Sequence, residues 1–381
     1  MTTKRLYNEN PYRKEFDAQV LSCTESKNGY EVILDESAFF PEGGGQPADQ
    51  GWLDNVRVTD VRDKREHVLH ICDGPVEPGS RVHGRIDWER RFLHMQQHSG
   101  EHIFSGIVHG LYGYDNIGFH MGKDFVTVDF SGLLSEEQIA EAERRANETV
   151  LADRRILAEY PPQEKLQELD YRSKKEIEGA VRIVTVPGAD VCACCGTHVE
   201  RTGEIGPIKV TSSEHYKTGI RLTLEIGWKA LEDYEVKHRN VKEISALLSV
   251  KPEQTAEAVR RQQEQLLELK ASIASLRQKL FDYQTAEIPE GTKKAVVFEP
   301  ELNSVEVRRL ADRIAERAAL AAVFSGTDAD GYKYVLCSRT EDVAALGKEF
   351  NARFGGRGGG KNPMIQGSVS AAETEIRAFF A

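Results

Sequence analysis

Two short motifs almost a hundred residues apart set the tightest limit on how this chain folds. His98-Ser99-Gly100-Glu101-His102 and Cys194-Cys195-Gly196-Thr197-His198 each place two metal-ligating side chains four residues apart. That spacing brings both onto one side of a helical turn or a tight loop. If the halves meet, three imidazoles and one thiolate close a tetrahedron, a ligand set that suits zinc. A lone H-x-x-x-H carries little weight, because histidines at this spacing arise by chance on helix surfaces. The second pair, in a chain with only six cysteines, is what turns the reading to metal. Cys192 or Cys195 could replace Cys194 as the thiolate, but only Cys194 keeps the i, i+4 relation to His198.

At 381 residues the chain has room for two or three domains, and 40% hydrophobic with 29% charged residues describes a soluble globular protein. No run reaches membrane-spanning length, and the polar sequence after Met1 has no signal-peptide core. Three of the cysteines crowd into 192–195, which fits metal chemistry in a reducing compartment, so the cytoplasm is expected. The net charge of −11 argues against indiscriminate binding of nucleic acid, but not against a local basic surface. One segment stands out: Asn351 to Ala372 contains no acidic residue but holds Arg353, Arg357 and Lys361.

The pattern along the chain predicts an α+β protein. Residues 1–90 read as short strands and turns, a small barrel or sandwich. Residues 91–232 begin with a helix from Phe92 to about Tyr112 carrying the first histidine pair. A strand over 125–130, a helix opened by Ser135 and further strands follow, with the cysteines in a loop. Residues 233–290 form a helical arm. Val259, Leu266, Ile273 and Leu280 recur every seventh residue, with Leu269, Leu276 and Tyr283 at the offset positions and Gln262 interrupting them. Such a seam suits a coiled coil or a helix packed on its own chain. Residues 291–381 read as an α/β unit, with a helix from Ser304 through Leu320. Its Gly355–Lys361 run reads as a ligand-facing loop whose exposed N–H groups, with Arg357 and Lys361, can cradle phosphate.

With these motifs in hand, the chain resembles the alanyl-tRNA editing proteins of the long type, relatives of the editing and C-terminal parts of alanyl-tRNA synthetase. Phe39-Phe40-Pro41-Glu42-Gly43-Gly44-Gly45-Gln46 with Asp49 and Gly51 is similar to the family's N-terminal glycine motif. The two metal half-sites, the second running on into Thr202-Gly203-Glu204-Ile205-Gly206, are similar to its zinc motifs. Gly355 to Gly360 with Gln366-Gly367 resembles the glycine-rich loop of its C-terminal domain. The sequence departs from the usual forms at Cys195, where glycine is common, and at Phe40, often tyrosine.

The resemblance implies a zinc-dependent editing domain, a coiled-coil linker or dimerisation arm, and a C-terminal tRNA-binding domain. It implies hydrolysis in trans of tRNA(Ala) mischarged with serine or glycine, since neither room nor motif for aminoacylation precedes the barrel. A pocket built for alanine rejects an added hydroxyl poorly, so a second hydrolytic site is useful. The expected metal ligands are His98, His102, Cys194 and His198. Gln46, Glu101 and His120 are expected to contact substrate or water. Arg353, Arg357, Gly358, Gly359, Gly360, Lys361 and Gln366 are expected to meet tRNA, with Lys209, Lys217 and Arg221 nearer the zinc domain. A homodimer through the helical arm or the C-terminal domain is expected, and no membrane partner. Two alternatives stay open. His98-x-x-Glu101-His102 also fits the H-x-x-E-H of inverted zinc proteases, and a zinc-stabilised tRNA-binding module without catalysis is conceivable.

Overall fold

In a computed structural model, which describes residues 2–122, 125–173 and 180–381, the chain divides into two compact units, Met1–Glu243 and Ile244–Ala381. Both mix helices with sheets, giving an α+β protein.

The first unit opens with a closed six-stranded barrel built from Glu15–Ser26, Gly29–Leu34, Gly51–Leu53, Val56–Lys64, His67–Cys72 and Arg81–Ile86. Strict alternation explains it: in Glu15–Ser26, Phe16, Ala18 and Val20 point inward between exposed neighbours, and Val82, Gly84 and Ile86 do so in the last strand. Gly84 is required there, because a Cβ would lie 2.4 Å from the Phe16 ring.

The helix Trp88–Tyr112 leaves the barrel, capped by Asp87 at its start and by Gly113, at φ 69°, at its end. It is buried for most of its length because sheets cover it. A four-stranded antiparallel sheet runs in the order Ile208–Tyr216, Gly219–Ile226, Val126–Phe130, Asn116–Met121. A three-stranded sheet is formed by Leu157–Glu159, Ile183–Val186 and Asp190–Ala193. Two glycines let these layers approach. A Cβ on Gly100 would lie 2.7 Å from Ile226, and one on Gly106 would lie 2.3 Å from the Ala189 carbonyl. The second close approach carries the Ala189–Asp190 turn onto the histidine-bearing helix.

The second unit contains the 33-residue helix Thr255–Glu287, which spans about 50 Å at 1.5 Å per residue. Its Leu266, Leu269, Ile273 and Leu276 are exposed, whereas Phe281 near its end is buried in the core. A five-stranded sheet follows in the order Thr292–Phe298, Ala318–Thr327, Gly331–Cys337, Met364–Val369, Arg357–Lys361, parallel only between its first two strands. Two expectations are corrected here. The helix after residue 303 runs only over Ser304–Ile314, capped by Asn303, and Ala318–Thr327 is a buried strand paired on both sides. The glycine-rich run is not a loop but the exposed edge strand Arg357–Lys361. No helix among the described residues is long and apolar enough to cross a membrane.

Candidate metal centre and cleft

His98 and His102 lie one turn apart on the buried helix, and Cys194 and His198 lie on the turn that follows strand Asp190–Ala193. The structure brings all four together. Their ligand atoms lie within 4.8 Å of one another, and Nε2 of His98 and of His198 each lies 3.4 Å from Cys194 Sγ. With zinc–nitrogen bonds of about 2.0–2.1 Å and a zinc–sulfur bond of about 2.3 Å, a regular tetrahedron has an N···S edge of about 3.5 Å. The donor set fits zinc. Gly196 makes the approach possible, since a Cβ there would fall 2.1 Å from His98 Cε1. Its amide donates to Cys194 Sγ at 3.3 Å, while Arg182 Nη1 donates to the carbonyls of Cys194 and Gly196.

Behind the ligands lies a second layer that orients them. His98 Nδ1 donates to Gln46 Oε1 (2.9 Å), His102 Nδ1 to Asp190 Oδ2 (2.8 Å), and His198 Nδ1 meets Ser99 Oγ (3.1 Å). Asp190 is in turn held by Arg172 Nε at 2.8 Å. Burial alone would raise the Asp190 carboxyl, but His102 and Arg172 outweigh it and hold it below its usual range. Burial likewise opposes ionisation of Cys194, yet the three imidazoles around it hold its pKa well below that of an ordinary thiol. Thiolate is the form a metal needs.

Gln46 reaches His98 through its glycine motif. Gly43 and Gln46 exchange backbone hydrogen bonds around Gly44 and Gly45, which sit at φ 62° and 84°. Two consecutive positive φ angles make this a glycine turn. The Gln46 side chain is fully buried, its amide nitrogen donating to Thr197 Oγ1 (2.8 Å) and its oxygen accepting from Thr197 N (3.1 Å). A buried ion pair anchors the motif: Arg91, on the same helix as the histidines, clasps Asp49, with both side chains at 0% exposure. Arg91 Nη1 also donates to the Pro11 carbonyl, and Asp49 Oδ2 accepts from Phe40 N.

A cleft of about 520 Å³ opens beside the donors, lined by Gly44, Gly45, His98, His102, Phe119 and Cys194 among others. Phe119 stacks on the His98 ring at 5.4 Å. Glu101 also lines the cleft, and its Oε1 accepts from Ser105 Oγ (2.5 Å) and Asn116 Nδ2. His120 lies exposed on strand Asn116–Met121, outside the residues lining the cleft. Cys195 faces the cleft as an exposed thiol that burial of its surroundings pushes up, and Cys192 is buried, its thiol raised by burial. Asp190, Ser99 and Arg172 had no signal in the sequence as site residues; they join the ligands only through tertiary contact.

In the second unit, Arg357 and Gln366 line one cavity of about 300 Å³ with Lys333 and Tyr334. Gly358 pairs with Gly367 over Tyr334, whose ring or hydroxyl would clash with a Cβ on either. Arg353 lies against Phe354 and Phe379, and Lys361 ends the edge strand; neither lines that cavity. In the first unit, Lys209 pairs with Glu143, and Arg221 with Asp129, while Lys217 lies over Tyr216.

A barrel joined to a sheet-covered helix, with one thiolate and three imidazoles converging beside a cleft, defines a metal-site domain. Residues 181–222, which include Cys194 and His198, match the model for the threonyl and alanyl tRNA synthetase second additional domain, and residues 8–90 match that for class II (A) tRNA synthetases. The alanyl-tRNA editing protein AlaX-L of Pyrococcus horikoshii is 28% identical over 98% of this chain and 96% of its own. The alanyl-tRNA editing protein Aarsd1 of Rattus norvegicus is 28% identical over 96% of this chain and 95% of its own. The alanine–tRNA ligase of Pyrococcus abyssi is 31% identical over 96% of this chain, which spans only 42% of the ligase. Over nearly its whole length the chain is similar to alanyl-tRNA editing proteins and to less than half of the alanine–tRNA ligases.

Proposed function

We propose that the protein is a hydrolase that deacylates tRNA(Ala) mischarged with serine or glycine, acting in trans. The observation that carries this is the four-donor cluster opening onto a cleft, in a chain homologous over nearly its whole length to alanyl-tRNA editing proteins. The reaction is attack of water on the ester between the aminoacyl group and the terminal ribose. Zinc held by His98, His102, Cys194 and His198 would supply a Lewis acid that polarises or positions the substrate. The chain's own residues do the rest. Gln46 and Asp190 hold His98 and His102 in the ligating tautomer, and the Gly44–Gly45 turn and Phe119 narrow the cleft to small acyl groups. Glu101 is the carboxylate among the residues lining the cleft, from which a water could be oriented; His120, outside that lining, is the second candidate. A fourth protein donor in the metal set weighs against a peptidase, whose zinc keeps a position open.

The division of labour follows the four segments: barrel 1–90, editing domain 91–232, helical arm 233–290, and C-terminal domain 291–381. Arg353, Arg357, Gly358, Gly359, Gly360, Lys361 and Gln366 are assigned to tRNA phosphates, and the exposed heptad seam to a homodimer. The test is release of amino acid from Ser-tRNA(Ala) and Ala-tRNA(Ala) by zinc-loaded protein, with Cys194→Ala as control. Serine-selective release lost in the variant is expected. Intact ester on tightly bound tRNA would leave a binding module instead.

A further inference from the structure

Four protein donors would close a metal site, whereas hydrolytic zinc sites keep a position open to substrate. The donors are not held alike, and the difference identifies which gives way. Gln46 Oε1 is purely an acceptor, since the same amide donates through its nitrogen to Thr197. His98 Nδ1 must therefore carry its hydrogen, leaving the Nε2 lone pair for the metal. Asp190 dictates the same tautomer for His102, and does so with a charge that Arg172 pins in place. His198 has no such constraint. Its Nδ1 faces the Ser99 hydroxyl, which already accepts from Val199 N (3.2 Å) and has both a proton and a lone pair to offer. A hydroxyl that donates to Nδ1 as readily as it accepts leaves Nε2 free to be ligand or not.

The cleft adds an independent observation. His98, His102 and Cys194 line it, and His198 does not. A donor arriving from the cleft therefore meets those three before it meets His198.

We propose that His198 is the exchangeable ligand of this centre, yielding its place to a substrate or water oxygen that enters from the cleft. One metal–nitrogen bond breaks as one metal–oxygen bond forms, with no electron transferred, and the released imidazole keeps its hydrogen bond to Ser99 in either tautomer. Asp190 with Arg172, and Gln46 with Thr197, are positioning pairs that keep the other two imidazoles in place. The inference rests on the metal reading above and not on the identity of the ester.

Cobalt(II) replaces zinc as the probe, and affinity is read by competition with a chelator for the full chain and for His98→Ala, His102→Ala and His198→Ala, each checked for folding by circular dichroism. His198→Ala is expected to bind cobalt within about tenfold of the unaltered protein, whereas the other two lose about a hundredfold or more. Equal losses in all three, or the greatest loss in His198→Ala, would overturn the proposal. A second measurement needs no variant: nitrogen-15 spectra of histidine-labelled, zinc-loaded protein, with and without a non-hydrolysable 3′-seryl-amide of adenosine. Only the His198 Nε2 resonance is expected to move on adding the analogue, with His98 and His102 fixed as Nδ1–H tautomers. Movement of either of those with His198 unchanged would contradict it. Failure of the unaltered protein to bind cobalt at all would overturn the metal reading and the proposal with it.

Discussion

Gln46 shows how a motif can be legible in the sequence for less than it does in the structure. Its glycine turn marks it out, yet its side chain is sealed behind His98 and touches the metal set only through that ring. Replacing it with alanine removes the acceptor that fixes the His98 tautomer, so metal affinity should fall about 10- to 100-fold, read by chelator competition, with secondary structure unchanged. The ligands themselves were readable because i, i+4 spacing is local. Asp190 and Ser99 were not, because nothing in their own neighbourhoods announces a partner 88 or 99 residues away. A second residue-scale effect lies in the barrel. His70 is fully buried between Ser37 Oγ and the Val32 carbonyl, and burial lowers its pKa to about 4. The unfolded chain takes up this proton below about pH 6.5 and the folded one only near 4, so stability falls as pH drops through that window. The loss is on the order of 3 kcal/mol. Denaturant melts of His70→Gln between pH 7 and 4 should show a shallower decline than the unaltered protein.

At the scale of elements, the Arg91–Asp49 pair fastens the glycine motif to the helix bearing His98 and His102. Asp49→Ala leaves a buried guanidinium unpaired and should cost about 3–5 kcal/mol, measured by urea unfolding. Sequence pattern served well where periodicity was strong, as in the barrel strands and the Thr255–Glu287 helix. It failed at residues 318–320, where the predicted helix runs too far. This alanine-rich start of the strand Ala318–Thr327 is recruited between two strands, so that pairing and burial override propensity, whereas strands on both sides of the turn at 328–331 were legible. It failed again at Arg357–Lys361, where glycines suggest a loop. Gly358, and Gly367 opposite it on the paired strand, are there because a Cβ on either would meet the partner backbone and Tyr334 beneath. Gly358→Val should therefore lower the melting temperature by several degrees, whereas Gly359→Ala, with open space around it, should leave it nearly unchanged.

At the scale of the molecule, an acidic chain meets an anionic partner only through charge gathered locally. Binding of tRNA should weaken steeply with salt, and Arg357→Ala or Lys361→Ala should each reduce the slope of log affinity against log salt by about one. The exposed leucines of the long helix give the proposed homodimer its test. Leu269→Glu with Leu276→Glu should halve the mass found by sedimentation if the seam is the contact. The proposed hydrolysis depends on one centre. X-ray absorption at the zinc edge of the metal-loaded protein tests it most directly. One sulfur at about 2.3 Å and three nitrogens at about 2.0–2.1 Å are expected. A second sulfur, from Cys192 or Cys195, or a carboxylate oxygen in place of an imidazole, would contradict the assignment of His98, His102, Cys194 and His198.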